Sequence, residues 1–158
     1  MAGRRWKNSS IKPVCNWPSW NRGSARISRK KEMLVLMPVR VLLVDANRDS
    51  ETEQVLKSAG HLVTRAFGFE EAKRQLQFAP PDLLMTDVRL GAYNGLHLVL
   101  RAHAEHPEMP AIVVDADHDP VLEREANGAG ATYVAKPFEA GSLVPLAFEN
   151  AERPRWNA

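Results

Sequence analysis

From Val39 onward, short apolar runs alternate with stretches of helical period, five times over. "VRVLLV" is apolar and strand-like. Residues 48–59 then place Thr52, Val55, Leu56 and Ala59 at i, i+3, i+4 and i+7, one face of a helix. Gly60 ends that helix as a C-terminal cap. "HLVTRA" is a shorter, more polar strand, suited to a sheet edge. Residues 69–79 align Phe69, Ala72, Leu76 and Ala79 until Pro80 and Pro81 stop the helix. "DLLMTD" is the third strand and "VRLGAYNG" a loop. Residues 95–106 put Leu96, Val99, Leu100 and His103 on one stripe, and "AIVVD" follows as the fourth strand. Residues 119–127 form a weaker helix with Leu122, Ala126 and Ala129 aligned. "ATYVAK" is the fifth strand. The last helix, 139–151, carries Leu143, Leu146, Ala147 and Asn150 on one face, broadened by Val144 and Phe148. Such alternation requires a parallel sheet covered on both faces. Right-handed crossovers make it a doubly wound α/β sandwich.

Length and composition permit one domain with a proper core: 158 residues, 44% apolar and 25% charged. No apolar run reaches the roughly 18 residues of a membrane span. The single cysteine, Cys15, excludes an internal disulfide framework and a multi-Cys metal site, so a cytoplasmic protein is expected. The net charge of +2 hides an asymmetry. Residues 1–36 hold nine Lys/Arg and one acid, Glu32, whereas the remainder holds twelve basic and eighteen acidic residues. This basic part is aperiodic, rich in Arg, Ser, Asn and Pro, and carries Trp6, Trp17 and Trp20. It is expected to be disordered, and it lacks the apolar core of roughly 7–15 residues that a signal peptide needs. The expected organisation is a basic arm over 1–37, a folded domain over 38–151 and a tail over 152–158. Three readings of the arm stand side by side. It arises from a start assigned upstream of a true one near Met37, it is a passive tail, or it binds nucleic acid or anionic membrane.

In open parallel sheets, sites form beyond the carboxyl ends of the strands, at the switch in strand order. Four of the five strands here end in a charged residue: Asp45, Asp87, Asp115 and Lys136. With the order 2-1-3-4-5 all four face one pocket. One strand-end aspartate alone would be an ordinary helix cap or turn residue. Four at equivalent ends, the lysine directly before a proline, form a pattern. "NGAGA" precedes a strand, the wrong context for a phosphate-binding turn. The four groups suit phosphoryl transfer instead. A carboxylate attacks phosphorus to give an acyl phosphate. A cation offsets the charge and a lysine holds the oxygens. Mg²⁺ suits such a site, since it takes one or two carboxylates and keeps several waters.

The stretches "VLLVDAN", "PDLLMTDVRLGAYNG" and "GAGATYVAKPF" make the chain resemble the receiver domain of two-component response regulators, over about Val39 to Ala151. The middle stretch is the most specific, with Gly95 eight residues after Asp87. The resemblance implies a flavodoxin-like, CheY-like three-layer sandwich. It implies Asp87 as phosphoacceptor and Asp45 as the first acid of a metal-supporting pair. Arg89 would offer its backbone carbonyl to Mg²⁺, Lys136 would pair with the phosphoryl group, and Tyr133 would be the switch aromatic. A cis bond between Lys136 and Pro137 is implied as well. Read without the family, Tyr133 is equally a half-buried strand tyrosine with a solvated hydroxyl.

Two positions depart from the family's pattern. Ala46 replaces the second acid, a direct metal ligand, and a methyl group cannot coordinate; Asn47 and Asp49 lie near enough in sequence to offer an oxygen instead. Asp115 replaces a Ser or Thr, and an ionised carboxylate only accepts hydrogen bonds. Three carboxylates then face one ammonium, and a phosphoryl group adds about −1.5 to −2 more. Like charges about 4 Å apart repel by about 4 kcal/mol at an effective dielectric of about 20. Asp115 can salt-bridge Lys136 and imitate a phosphoryl group, or simply cap a helix. The five histidines are scattered and read as structural or surface residues. The expected function is a stand-alone receiver with an impaired metal site, signalling by protein contact. Its partners would be a histidine kinase or phosphotransfer protein and an unnamed downstream protein, with homodimerisation open. It would not be an enzyme beyond slow autodephosphorylation. The alternatives are a phosphorylation-independent interaction module, or a nucleic-acid binder acting through the basic arm.

Overall fold

A computed structural model describes residues 37–151, so the calls on the basic arm up to residue 36 and on the tail from 152 lie outside the described residues. The five expected strands form one parallel sheet: β1 (Arg40–Val44), β2 (Leu62–Ala66), β3 (Leu83–Asp87), β6 (Ala111–Asp115) and β7 (Thr132–Ala135). Their spatial order is β2-β1-β3-β6-β7. In the main sheet this is the expected 2-1-3-4-5. Five helices connect them: α1 (Glu51–Ser58), α2 (Phe69–Phe78), α3 (Gly95–Glu105), α4 (Pro120–Gly128) and α5 (Ala140–Ala151).

Alternation along the strands divides the core into two layers. In β1, Val41 and Leu43 point to the face that also buries Leu56 of α1 and Leu143 and Val144 of α5. Leu42 and Val44 point to the other face, against Ala72 and Leu76 of α2, Val99 and Ala102 of α3, and Ala126 of α4. Burying one Leu or Val fully contributes about 1.5–3 kcal/mol. The central strands therefore read as unbroken apolar runs, while edge strand β2 leaves Leu62 60% exposed.

Two helical stripes differ from expectation. In α3, Leu98 is fully buried and Leu100 is exposed. In α5, Leu146 is exposed while Val144 is buried with Leu143 and Ala147. Each helix lies on a sheet and buries a broad face, so a four-position stripe placed the edge of that face wrongly. A further difference lies in the loop after β3. It forms a two-stranded hairpin, β4 (Arg89–Leu90) with β5 (Tyr93–Asn94), turned by Gly91 at φ 65°. Tyr93 stacks on Phe69 at the start of α2, ring centroids 4.7 Å apart.

Gly95 is where α3 starts, and its place in the chain has a steric cause. A Cβ there would stand 2.1 Å from the carbonyl oxygen of Asp87 and 2.8 Å from Thr86 Oγ1. The Gly95 N–H also donates to the Val88 carbonyl at 2.8 Å. Asn94 caps the helix, its side chain accepting from Leu96 N–H at 2.9 Å. The histidines do not gather. His61 is buried and accepts from the Val39 N–H. His103 sits between the carbonyls of Ala129, at 2.9 Å, and Met109, at 2.8 Å, tying α3 to the end of α4.

Candidate functional site

Parallel pairing in register brings the ends of β1, β3, β6 and β7 side by side. Asp45 follows β1, Asp87 and Asp115 are the last residues of β3 and β6, and Lys136 follows β7. All four charged residues singled out in the sequence therefore lie along one rim of the sheet. Asp45 and Asp115 are buried, Asp87 is half-buried and Lys136 is exposed.

Asp45 and Asp87 are electrostatically coupled. Burial pushes the Asp87 carboxyl up, the charge of Asp45 adds to the push, and the value reaches about 7. Burial also raises Asp45, but hydrogen bonding outweighs it and leaves Asp45 below its ordinary value. The Asn47 N–H donates to Asp45 Oδ1 at 2.8 Å. The proton the pair retains on approaching neutral pH is therefore held on the Asp87 side. Lys136 lowers both carboxyls through space. Ser50 stands at the N-cap of α1, yet its side chain caps nothing. Its hydroxyl is buried, lies close enough to Asp45 to help lower it, and makes no well-formed hydrogen bond. Ala46 points its methyl into the open. Asn47 does not turn its amide to the pocket; its Oδ1 accepts from the Asp49 N–H at 3.2 Å.

Asp115 does not reach for Lys136. One of its oxygens accepts from the Ala116 N–H at 2.8 Å. The other accepts from the Tyr133 hydroxyl at 3.0 Å. That hydroxyl also lies 3.0 Å from the Asp117 carbonyl and accepts from the Asp119 N–H at 2.9 Å. A phenol has one hydrogen, so the carboxylate and the carbonyl compete for it, and the charged acceptor is the stronger. Asp119 in turn caps α4, accepting from Val121 N–H at 2.8 Å. Tyr133 is half-buried, as one reading had it, but its hydroxyl is tied to the protein rather than solvated. Burial and then the neighbouring carboxylates hold its pKa above the ordinary value. The Lys136–Pro137 bond is cis.

One cation beside the pocket escaped the sequence reading. Arg65, near the end of β2, reaches under the β1–α1 loop. Its guanidinium donates to the carbonyls of Arg48 at 2.7 Å and Asp45 at 3.5 Å, and to that of Asn47. It pairs with Glu53 at 3.0 Å and lies over the Phe67 ring at 4.6 Å. Nothing in the sequence signals this, because an arginine on a polar edge strand reads as a solvated side chain. Among the described residues, no three His, Cys, Asp or Glu side chains form a closed metal cage, and no helix is long and apolar enough to cross a membrane.

Residues 41–147 match the model of the response regulator receiver domain. The C4-dicarboxylate transport transcriptional regulatory protein DctD of Rhizobium meliloti (strain 1021) is 31% identical over 118 residues, 73% of this chain and 26% of that protein. The DNA-binding transcriptional regulator NtrC of Escherichia coli (strain K12) is 29% identical over 110 residues, 65% of this chain and 24% of that protein. The chain spans about a quarter of the length of these curated relatives. Among solved structures, a CheY-like receiver domain protein from Methanospirillum hungatei JF-1 aligns with a TM-score of 0.64 at 25% identity, over 73% of this chain and 95% of that one. The receiver domain of NtrX from Brucella abortus aligns with a TM-score of 0.63 at 26% identity, over 72% and 99%. With the sheet order, the rim of charged strand ends and the match over most of the folded part, the chain belongs to the receiver domain family of two-component response regulators.

Proposed function

We propose that this chain accepts a phosphoryl group on Asp87 from a phosphohistidine of a histidine kinase or phosphotransfer protein, and signals by protein–protein contact. The observation that carries this reading is the convergence of Asp45, Asp87 and Lys136 on one rim of the sheet, Asp45 and Asp87 on adjacent strands and Lys136 close enough for its charge to act on both. In the step, an Asp87 carboxylate oxygen bonds to phosphorus as the phosphorus–nitrogen bond of the donor breaks. The electron pair of that bond stays on the imidazole nitrogen. Only the ionised carboxylate attacks, and a group held at about 7 is half ionised at neutral pH. Lys136, exposed at the rim, is available to pair with the incoming oxygens.

Receiver domains generally bind Mg²⁺ at this acidic site. The donors here fit an ion that keeps several waters: the carboxylates of Asp45 and Asp87 and the main-chain carbonyl of Arg89. The partnerless Ser50 hydroxyl beside Asp45 supports a hydrated ion there. When bound, the metal neutralises charge on the transferring group. Ala46 contributes nothing to it, and Asp115 adds a negative charge, so binding is weak and phosphorylation is impaired. Output would pass through α4, α5, β6 and β7. Slow hydrolysis of its own acyl phosphate would be the one catalysis.

The Asp115–Tyr133 bond favours a second reading. The aromatic is tied down by a carboxylate of the chain itself, which suits a module that binds partners independently of phosphorylation. Acetyl phosphate with Mg²⁺, followed by intact mass, separates the two. Labelling of wild type and none of Asp87→Asn supports the first reading. No label on wild type, with partner binding retained in Asp87→Asn, establishes the second.

A further inference from the structure

We infer that Arg65 is a positioning residue of this site, and that its guanidinium orders the metal-side loop in place of the acid missing at position 46. The inference deepens the receiver reading and rests on it where it concerns Mg²⁺.

Register sets Arg65 beside Leu43, two residues before Asp45, on the neighbouring strand. Its side chain is only 12% exposed. The fork reaches three carbonyls within four consecutive residues: Asp45, Asn47 and Arg48. Carbonyl oxygens gathered on one side repel one another unless a cation sits among them, and a planar guanidinium presents several donors at once. Between the held carbonyls the loop turns back toward the pocket. The Asn47 N–H meets Asp45 Oδ1 there, and the Asp45 carboxylate faces Asp87. Glu53 holds the fork from α1, and Phe67 covers it with an aromatic face. Two features show what the clamp outweighs. Arg65 Nε is buried without a partner, and the Ser50 hydroxyl of the same loop is too.

In a loop with two acids, a bound cation can anchor the backbone from the pocket side. Ala46 removes that anchor, and the guanidinium supplies one from behind. The pocket is therefore preformed: Asp45 is oriented before any metal arrives.

The test uses the full chain in wild-type, Arg65→Gln, Arg65→Lys and Glu53→Gln forms. Amide hydrogen exchange without metal reads loop order, and Mg²⁺ titration followed by amide shifts of Asn47, Arg48 and Asp87 reads the site. Arg65→Gln is expected to lose protection at Asn47 and Arg48, with core strands unchanged, and to bind Mg²⁺ about tenfold more weakly. Arg65→Lys keeps the charge without the fork and should recover only part of both. Glu53→Gln leaves the fork in place, should weaken both slightly, and serves if Arg65→Gln does not fold. Equal loop protection and equal Mg²⁺ affinity in wild type and variants would overturn the inference. If wild type binds no Mg²⁺, the metal reading fails, while the metal-free exchange result still decides whether Arg65 orders the loop.

Discussion

Replacing Asp87 with asparagine is expected to stabilise the domain at neutral and alkaline pH and to flatten its pH profile. In metal-free protein the Asp87 carboxyl is pushed from its ordinary value of 3.8 to about 7, first by burial and then by Asp45. Unfolding returns it to water. Between those two values the native state holds a proton that the unfolded state has released. Stability therefore falls as pH rises, beginning near the lower value and complete above the upper one. A shift of about 3 units at about 1.36 kcal/mol each gives an upper bound of about 4 kcal/mol. Asp87 is partly open to solvent, and screening reduces this to about 2 kcal/mol. Asp45 acts in a separate window. Its folded pKa is depressed, so its contribution is present above 3.8 and is lost only as pH falls further. Urea unfolding with a chelator present, in steps from about pH 4 to about pH 8, reads the effect directly. Relative to Asp87→Asn, wild type should lose about 2 kcal/mol across that range, so that the variant exceeds it by that amount at the alkaline end. Buried His61, whose pKa burial lowers, pushes stability the other way in part of this window in both proteins, so the difference between them isolates Asp87, and an unchanged slope in Asp87→Asn would refute the account of a destabilising buried carboxylate.

Other substitutions address the remaining features. Ala46→Asp restores a carboxylate ligand and should tighten Mg²⁺ binding at least about tenfold; equal affinity by calorimetry would show that the acid is not what the site lacks. Asp115→Thr removes a charge from the pocket and the anionic acceptor of Tyr133. Labelling of Asp87 by acetyl phosphate should rise, and the Tyr133 titration, followed by absorbance against a Tyr133→Phe control, should move down toward its ordinary value. Gly95→Ala drives a methyl into the Asp87 carbonyl and should cost about 3 kcal/mol in denaturant unfolding. His103→Leu should cost about 2 kcal/mol in the same assay, because it removes the ring N–H donor that lies between the part-buried carbonyls of Ala129 and Met109.

The fold was legible because each central strand buries both faces and so reads as a continuous apolar run, as "VLLV" and "AIVV" do, and each helix declares its period. The rim was legible because strand ends in a parallel sheet converge whatever the loops do, so Asp45, Asp87, Asp115 and Lys136 needed only their positions. What escaped lies in tertiary hydrogen bonding. The two-residue strands of the β4–β5 hairpin are too short to show alternation. The direction in which Asp115 turns depends on Tyr133, eighteen residues on, and the role of Arg65 on carbonyls of another segment. Sequence spacing carries none of this. The exposed Leu100 and Leu146 mark another limit, since a helix on a sheet buries a wide arc and periodicity alone does not find its border.

The contact between Gly95 and Asp87 has a mechanical consequence. No side chain lies between the first turn of α3 and the backbone of Asp87, and close-packed interiors pass displacement on rather than absorb it. At the other end of α3, His103 is moored to the carbonyls of Met109 and Ala129, the latter closing α4. The helix is thus a lever with its short arm on Asp87 and its mooring on α4. Any shift of the Asp87 main chain would bear directly on α3 and, through His103, on the end of α4, a connection that does not pass through Tyr133.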